Sequence, residues 1–208
     1  MAERRQEMVD LIERRGIRDE LVLDAMRKVP RHEFVPDRQK QRAYGDFPLS
    51  IGEGQTISQP YIVAMMTAAL DLEPGDRVLE VGTGSGYQAA ILDEMGMDVY
   101  SIERVPELYE RTQALLARLG YDVQMKLADG YEGWPEQAPY DGIIVTAAPK
   151  EVPPPLVEQL NPDDGCLVIP VGQPFGFQNL LKVVRHGEET ERLNLGGVAF
   201  VPFVTDED

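Results

Sequence analysis

Val78-Leu79-Glu80-Val81-Gly82-Thr83-Gly84-Ser85-Gly86-Tyr87-Gln88-Ala89-Ala90 decides the fold of this 208-residue chain. An apolar strand runs into three glycines at alternate positions, and a helix-forming run follows at once. Glycine reaches φ > 0 and carries no Cβ, so the backbone can turn sharply and let a ligand lie against it. A helix that starts directly after such a turn aims unsatisfied N–H groups into the loop. These features predict a nucleotide-type ligand site at the carboxyl end of the first core strand.

The spacing selects among nucleotides. Dinucleotide sites read G-x-G-x-x-G, whereas Gly82, Gly84 and Gly86 read G-x-G-x-G, which ranks an NAD-dependent oxidoreductase last. Glu80, at the end of the strand, would repel a phosphate. A ligand with no phosphate, a cationic centre and an amino group tolerates that carboxylate, and S-adenosylmethionine fits the description. The string Glu80 to Tyr87 resembles the first motif of the Rossmann-like methyltransferases.

A ribose-binding acid is then expected about 20 residues beyond the glycines, at the end of the second strand. Val99-Tyr100-Ser101-Ile102-Glu103 ends on Glu103, whose carboxylate can accept from both ribose hydroxyls or cap the helix entered at Pro106. After the third strand comes Asp129-Gly130, the position at which many methyltransferases hold adenine; alone, Asp-Gly reads as a turn. Trp134 either walls this pocket or packs in the core.

Outward from the loop, periodicity predicts helices over 2–15, 19–28, 60–70, 87–95, 106–119 and about 154–160. Strands are predicted over 77–81, 99–103, 123–127, 142–146 and 166–171. Residues 30–56, rich in Pro and Gly, read as irregular. The β-rich runs 180–185 and 192–203 have no helix between them, which predicts an antiparallel pair at the sheet edge. The expected fold is α/β: a Rossmann-like, doubly wound, mostly parallel sheet with an antiparallel C-terminal edge and an N-terminal helical extension. One methyltransferase domain is expected over 1–208, with 1–60 as the helical and substrate-loop extension and 61–208 as the S-adenosylmethionine-binding core.

Composition bounds the function. Hydrophobic residues make up 43%, enough for a packed core. The formal net charge of −16 argues against nucleic acid as a substrate, because phosphates would be repelled. No apolar run approaches the ~18–20 residues that span a bilayer, and no signal-peptide pattern opens the chain. The single cysteine, Cys166, rules out an internal disulfide, which suits a cytoplasmic location, and its Cys-Leu-Val-Ile context reads as buried strand. No metal site is expected, since His32 and His186 lack ligand spacing.

The substrate must come from what precedes the core. Residues 44–60 form a long segment of small, hydroxyl and amide side chains leading to a helix start at Pro60. In extended chain Thr56 and Ser58 share a face, and Ser58 stands where helix N–H groups favour an anion. Ser58 either helps to hold a carboxylate beside the methyl donor or simply caps the helix.

Here a narrower resemblance emerges. Gly54-Gln55-Thr56-Ile57-Ser58-Gln59-Pro60 closely resembles the substrate motif of the protein-L-isoaspartate O-methyltransferases. Residues 29–36, Ala43-Tyr44, Asp46, 145–149, 167–172 and Phe200-Val201-Pro202-Phe203 look like the same family, in the same order. The resemblance implies methylation of the free α-carboxylate of L-isoaspartyl residues in damaged proteins, after which the ester collapses to a succinimide. It implies Ser58 as the active-site hydroxyl, with Gln55, Thr56 and Ile57 at the junction of donor and substrate. Gly82, Thr83, Gly84 and Gly86 would hold S-adenosylmethionine, which leaves as S-adenosylhomocysteine, with Glu103 on ribose and Asp129-Gly130 at adenine. The strand containing Phe200-Val201-Pro202 would pair with the peptide backbone, a mode that tolerates varied sequences. Glu53 and the spacing of Thr205 from Pro202 depart from the family's pattern. A monomer acting on isoaspartyl proteins and peptides is expected, with no nucleic-acid or membrane partner.

Rival readings have their own signatures. A nucleic-acid N-methyltransferase would need an Asn/Asp-Pro-Pro-aromatic turn where this chain has Thr146-Ala147-Ala148-Pro149. A small-molecule carboxyl methyltransferase is the enzymatic runner-up, and an inactive donor-binding partner protein is the non-enzymatic one.

Overall fold

In the computed structural model, which describes residues 1–173 and 176–204, the chain begins with helices α1 (Ala2–Arg14) and α2 (Glu20–Lys28). The hairpin strands β1 (Leu49–Gly52) and β2 (Gln55–Ile57) follow, and then α3 (Pro60–Leu70). The core alternates β3 (Arg77–Val81), α4 (Tyr87–Glu94), β4 (Asp98–Glu103), α5 (Pro106–Leu119) and β5 (Val123–Leu127). It continues through β6 (Gly142–Val145), α6 (Pro154–Glu158) and β7 (Asp163–Gly172) to β8 (Gln178–His186) and β9 (Glu189–Val198).

Seven strands form one sheet in the order β5-β4-β3-β6-β7-β8-β9. Strands β3 to β7 pair in parallel, and β8 and β9 add an antiparallel edge. The order reverses at β3, which pairs with β4 on one side and β6 on the other, so a crevice opens at their carboxyl ends. Side-chain alternation sorts the sheet's two faces into two cores. Val78, Val99, Ile144 and Val168 join the helical N-terminal side, and Leu79, Tyr100, Ile143 and Leu167 join the other.

Local chemistry sets the helix ends. Asp19 caps α2 by accepting from Val22 N–H at 3.1 Å. Helices α3 and α5 start on prolines, whose missing N–H costs nothing in a first turn.

Three expectations are corrected. Residues 30–56 are not wholly irregular: 3₁₀ turns cover Arg31–Phe34 and Asp37–Arg42, and β1 and β2 pair across Glu53-Gly54. Glu53 has φ 51° and Gly54 φ 69°, the left-handed pair that a tight hairpin needs. The last strand ends at Val198, so Phe200-Val201-Pro202 lies beyond it. The Val201 carbonyl there accepts from Ala148 N–H at 2.9 Å, and Phe203 N–H donates to the Ala148 carbonyl at 3.0 Å. Both backbone groups of Phe200 are bonded to the Gln178 amide. Much of the backbone expected to pair with a peptide is therefore already engaged.

Trp134 packs edge-on against Tyr100, with ring centroids 5.6 Å apart, and belongs to the second core. Cys166 is buried, and burial pushes its thiol up to about 11, so it stays protonated and inert. Thr205 lies outside the described residues. No helix among the described residues is long and apolar enough to cross a membrane.

Candidate active site

The glycine loop bends as a ligand cradle requires. Gly82 has φ +97°, and a Cβ there would stand 2.4 Å from Thr146 Oγ1. That hydroxyl donates to the Gly82 carbonyl at 2.7 Å and closes the turn. Gly86, at φ +82°, enters α4 where a Cβ would meet Thr112 Cγ2 at 2.7 Å. The Ser85 hydroxyl accepts from Tyr87 N–H at 3.2 Å, and Thr112 donates to the Gly84 carbonyl at 2.7 Å. The loop is thus held from three neighbouring elements.

Two buried carboxylates flank it. Glu103 Oε2 accepts from Gly84 N–H at 2.7 Å, while Oε1 accepts from Arg104 and Val105 N–H at 2.8 and 2.9 Å. Glu103 therefore caps the approach to α5 and also lines the cavity. A carboxylate has about four lone-pair positions, so capacity remains at Oε2. Glu80 has no exposed surface. Its Oε2 accepts from the Ser101 hydroxyl at 2.5 Å, and Ser101 lies 2.6 Å from Thr83 Oγ1. Its Oε1 has no partner. Burial pushes the Glu80 carboxyl up to about 8, and the Glu103 charge adds to the rise. The Ala89 N–H at the start of α4 also points at this carboxyl and partly offsets the rise, and the buried oxygen on the cavity wall leaves an acceptor that a ligand N–H can meet.

These groups face an open cleft whose empty space, including solvent at its mouth, is about 1060 Å³. Its walls include Gln55, Thr56, Ile57 and Ser58 from β2 and the residue after it, the Glu80–Ser85 turn, Glu103 and Gly130. Of the residues that the resemblance assigns to donor binding and to the active-site hydroxyl, all line this cleft except Gly86 and Asp129. Gly86 stands behind the loop at the start of α4. Asp129 Oδ1 accepts from Tyr131 N–H at 2.9 Å, an Asx turn that leaves Gly130 to form the wall.

A second cavity, also open, with about 1110 Å³ of empty space including solvent at its mouth, shares Thr56, Ser58, Thr146 and Val201 with the first. Ser58 therefore stands where the two meet. It does not cap α3, whose boundary residue is Gln59. That end is held instead by Asp46, which accepts from Tyr61 N–H at 3.0 Å and Gln59 Nε2 at 2.9 Å and forms an ion pair with Arg15. Neither the Thr56 nor the Ser58 hydroxyl has a partner among the described residues.

The full match is as coherent as the geometry. Residues 3–208 match the family described as protein-L-isoaspartate(D-aspartate) O-methyltransferase. The chain belongs to the protein-L-isoaspartate O-methyltransferase family. A relative from Methanoculleus marisnigri with that enzyme's name is 54% identical over 202 residues, covering 96% of this chain and 91% of the relative. One from Methylorubrum extorquens is 55% identical over 205 residues, covering 98% and 89%.

Among solved structures, a protein-L-isoaspartate O-methyltransferase superposes with a TM-score of 0.88 at 28% identity. The match covers 95% of this chain and 65% of that longer one. A Plasmodium falciparum protein assigned to the same enzyme class, in complex with S-adenosyl-L-homocysteine, superposes with a TM-score of 0.81 at 27% identity. That match covers 95% of this chain and 97% of the other.

The support beneath Ser58 is not marked in the sequence. Arg31 is wholly buried; its Nη2 donates to the Ser58 carbonyl and its Nε to the Ala43 carbonyl, both at 2.7 Å. Its guanidinium lies 4.8 Å from the Tyr87 ring centroid, and burial lowers its pKa to about 10, so it stays charged. The only local signal was an arginine between a proline and the His32-Glu33-Phe34 run.

Proposed function

We propose that this chain repairs damaged proteins by moving a methyl group from S-adenosylmethionine to the α-carboxylate of L-isoaspartyl residues. The observation that carries the reading is Ser58, with an unpartnered hydroxyl, at the junction of a donor-shaped cavity and a second cleft. When bound, the donor supplies an electrophilic methyl group on a sulfonium. Gly82, Thr83, Gly84 and Gly86 would shape its bed, Glu103 would take ribose and Gly130 would lie at adenine, beside Asp129. The orphaned Oε1 of Glu80 would take the donor's ammonium group.

The nucleophile needs no base, because an α-carboxyl with a pKa of ~3.5 is already ionised at neutral pH. Catalysis rests on alignment: Ser58 and Thr56 would donate to the carboxylate and orient one oxygen for attack, with Gln55 and Ile57 at the junction. The Arg31 bond to the Ser58 carbonyl fixes the loop that carries them. Residues 1–60 then bring the substrate loop to the junction, and 61–208 form most of the donor bed and the far wall of the second cleft. A cytoplasmic monomer that acts on proteins and uses neither nucleic acid nor membrane completes the proposal. The net charge of −16, the lone buried thiol and a site assembled from one chain support it.

Ser58→Ala tests the alignment. A hydrogen bond to a charged partner contributes ~1.5–3 kcal/mol, so turnover is expected to fall about 10- to 100-fold while donor affinity stays within about twofold. A collapse of donor affinity would move Ser58 to a donor-binding role. The transferred label should also leave as methanol on mild alkali, the mark of a carboxyl ester; alkali-stable label would contradict the reading.

Glu80 gives a pH dependence. Its folded-state pKa, about 8, lies above the ~4.3 of an unperturbed Glu. Between these values the native state holds the extra proton, so Glu80 lowers stability as pH rises through the window. Glu80→Gln is expected to raise Tm relative to wild type at pH 8 and to weaken S-adenosylhomocysteine binding about tenfold, one lost charge-assisted contact. Calorimetry at pH 7 in two buffers should show proton release on ligand binding in wild type, absent in the variant. Equal release in both would remove Glu80 from the donor site.

A further inference from the structure

The second cavity is defined by which of its groups are free. No charged side chain lies among the described residues that line it, in a protein of net charge −16. Most of its polar side chains are already satisfied. The Gln178 amide bonds both backbone groups of Phe200, Gln59 bonds Asp46, and Thr146 bonds the Gly82 carbonyl. The free hydroxyls, Thr56 and Ser58, lie on the part shared with the donor cavity. The remaining wall is Pro48, Ile62, Val198 and Phe200, with the Phe177 side chain beside them. Phe177 is 75% exposed, the most exposed large hydrophobic residue of the described chain, and a Cβ on Gly197 would lie 3.9 Å from its ring.

We infer that this cleft selects isoaspartyl peptides whose residue next to the isoaspartate is apolar, and that Phe177 packs against that side chain. The inference rests on the isoaspartyl reading above and names the substrate subclass. Polar recognition is confined to the carboxylate end. A charged neighbour entering the rest of the cleft would lose water and find no counter-charge, a costly transfer. An apolar neighbour gains by covering Phe177 and the facing aliphatic wall. The protein's overall charge predicts a different ranking, with Lys-flanked peptides preferred by long-range attraction. The two effects are therefore separable.

The test uses the full chain, labelled S-adenosylmethionine and two sets of isoaspartyl hexapeptides. One set varies the residue after the isoaspartate and the other the residue before it, each as Leu, Lys or Glu. In at least one set the Leu peptide is expected to have a KM about tenfold or more below both charged peptides. Phe177→Ala should erase most of that ratio by raising the Leu KM alone, with S-adenosylhomocysteine affinity retained as a check on folding. Equal KM values in both sets, a Lys preference at physiological salt, or a Phe177→Ala effect shared by all peptides would overturn the inference while leaving the isoaspartyl activity standing. Label transfer to none of the peptides would instead remove the activity, and this inference with it.

Discussion

Gly82→Ala is expected to lower affinity for S-adenosylhomocysteine about a hundredfold or more, whereas Gly84→Ala should lose less than about tenfold. The two glycines are two residues apart but differently constrained. Gly82 sits at φ +97°, outside the region an alanine tolerates, and its Cβ would press on Thr146 Oγ1 at 2.4 Å. Thr146 cannot yield easily, since its hydroxyl is bonded to the carbonyls of Val81 and Gly82. Gly84 has φ +52°, in the left-handed helical region, and the nearest atom to its Cβ would be Ile51 Cδ1 at an ordinary 3.7 Å. Alanine there costs roughly 1 kcal/mol of backbone strain. Calorimetric titration of the two variants decides it. Equal losses would mean that the loop's shape is not what holds the donor.

Glu103→Ala is expected to lower both stability and donor affinity. The substitution strips the acceptor from three backbone N–H groups, those of Gly84, Arg104 and Val105. Leaving a buried donor unpaired costs about 1–3 kcal/mol each, so a loss of about 3 kcal/mol and a Tm lower by about 6–12 °C follow. Donor affinity should drop more than about tenfold, because the tether between β4 and the glycine loop goes with it. Glu103→Gln separates the two effects. Its carbonyl oxygen can still accept from Arg104 and Val105, but its NH₂ then faces the Gly84 N–H, donor against donor. Most of the Tm should return while donor affinity stays low. An unchanged Tm in the alanine variant would show that water replaces the carboxylate at no cost.

The core was legible because its signals are local. Glycine spacing, β-rich runs and proline or glycine punctuation place β3, α3, α5 and β5 at the residues predicted, and α4, β4 and β6 within one residue. The place of Glu103 was legible for the same reason: it closes β4, at the sheet's crevice beside the glycine loop. The missed features are held by contacts between distant positions. Asp46 caps a helix that starts at Pro60, and Arg31 reaches the carbonyl of Ser58; no periodicity marks either. The hairpin of β1 and β2 is too short to show alternation, at four and three residues. The second cavity joins Thr56–Gln59 to Gly176–Gln178 and Gly197–Val201, a meeting set only by the antiparallel edge. Asp129 shows a local bond that the pattern does not mark. Its place after β5 follows from the pattern, but its carboxylate bonds Tyr131 N–H, and Gly130 forms the wall.

In the proposed reaction the junction at Ser58 presents an isoaspartyl carboxylate to the methyl donor. It is tested most directly with labelled S-adenosylmethionine and two peptides of identical sequence, one carrying L-aspartate and the other L-isoaspartate at a single position. Label should enter the isoaspartyl peptide alone, as an alkali-labile ester. Label in neither peptide, or in both equally, would mean that this junction does not select isoaspartyl carboxylates.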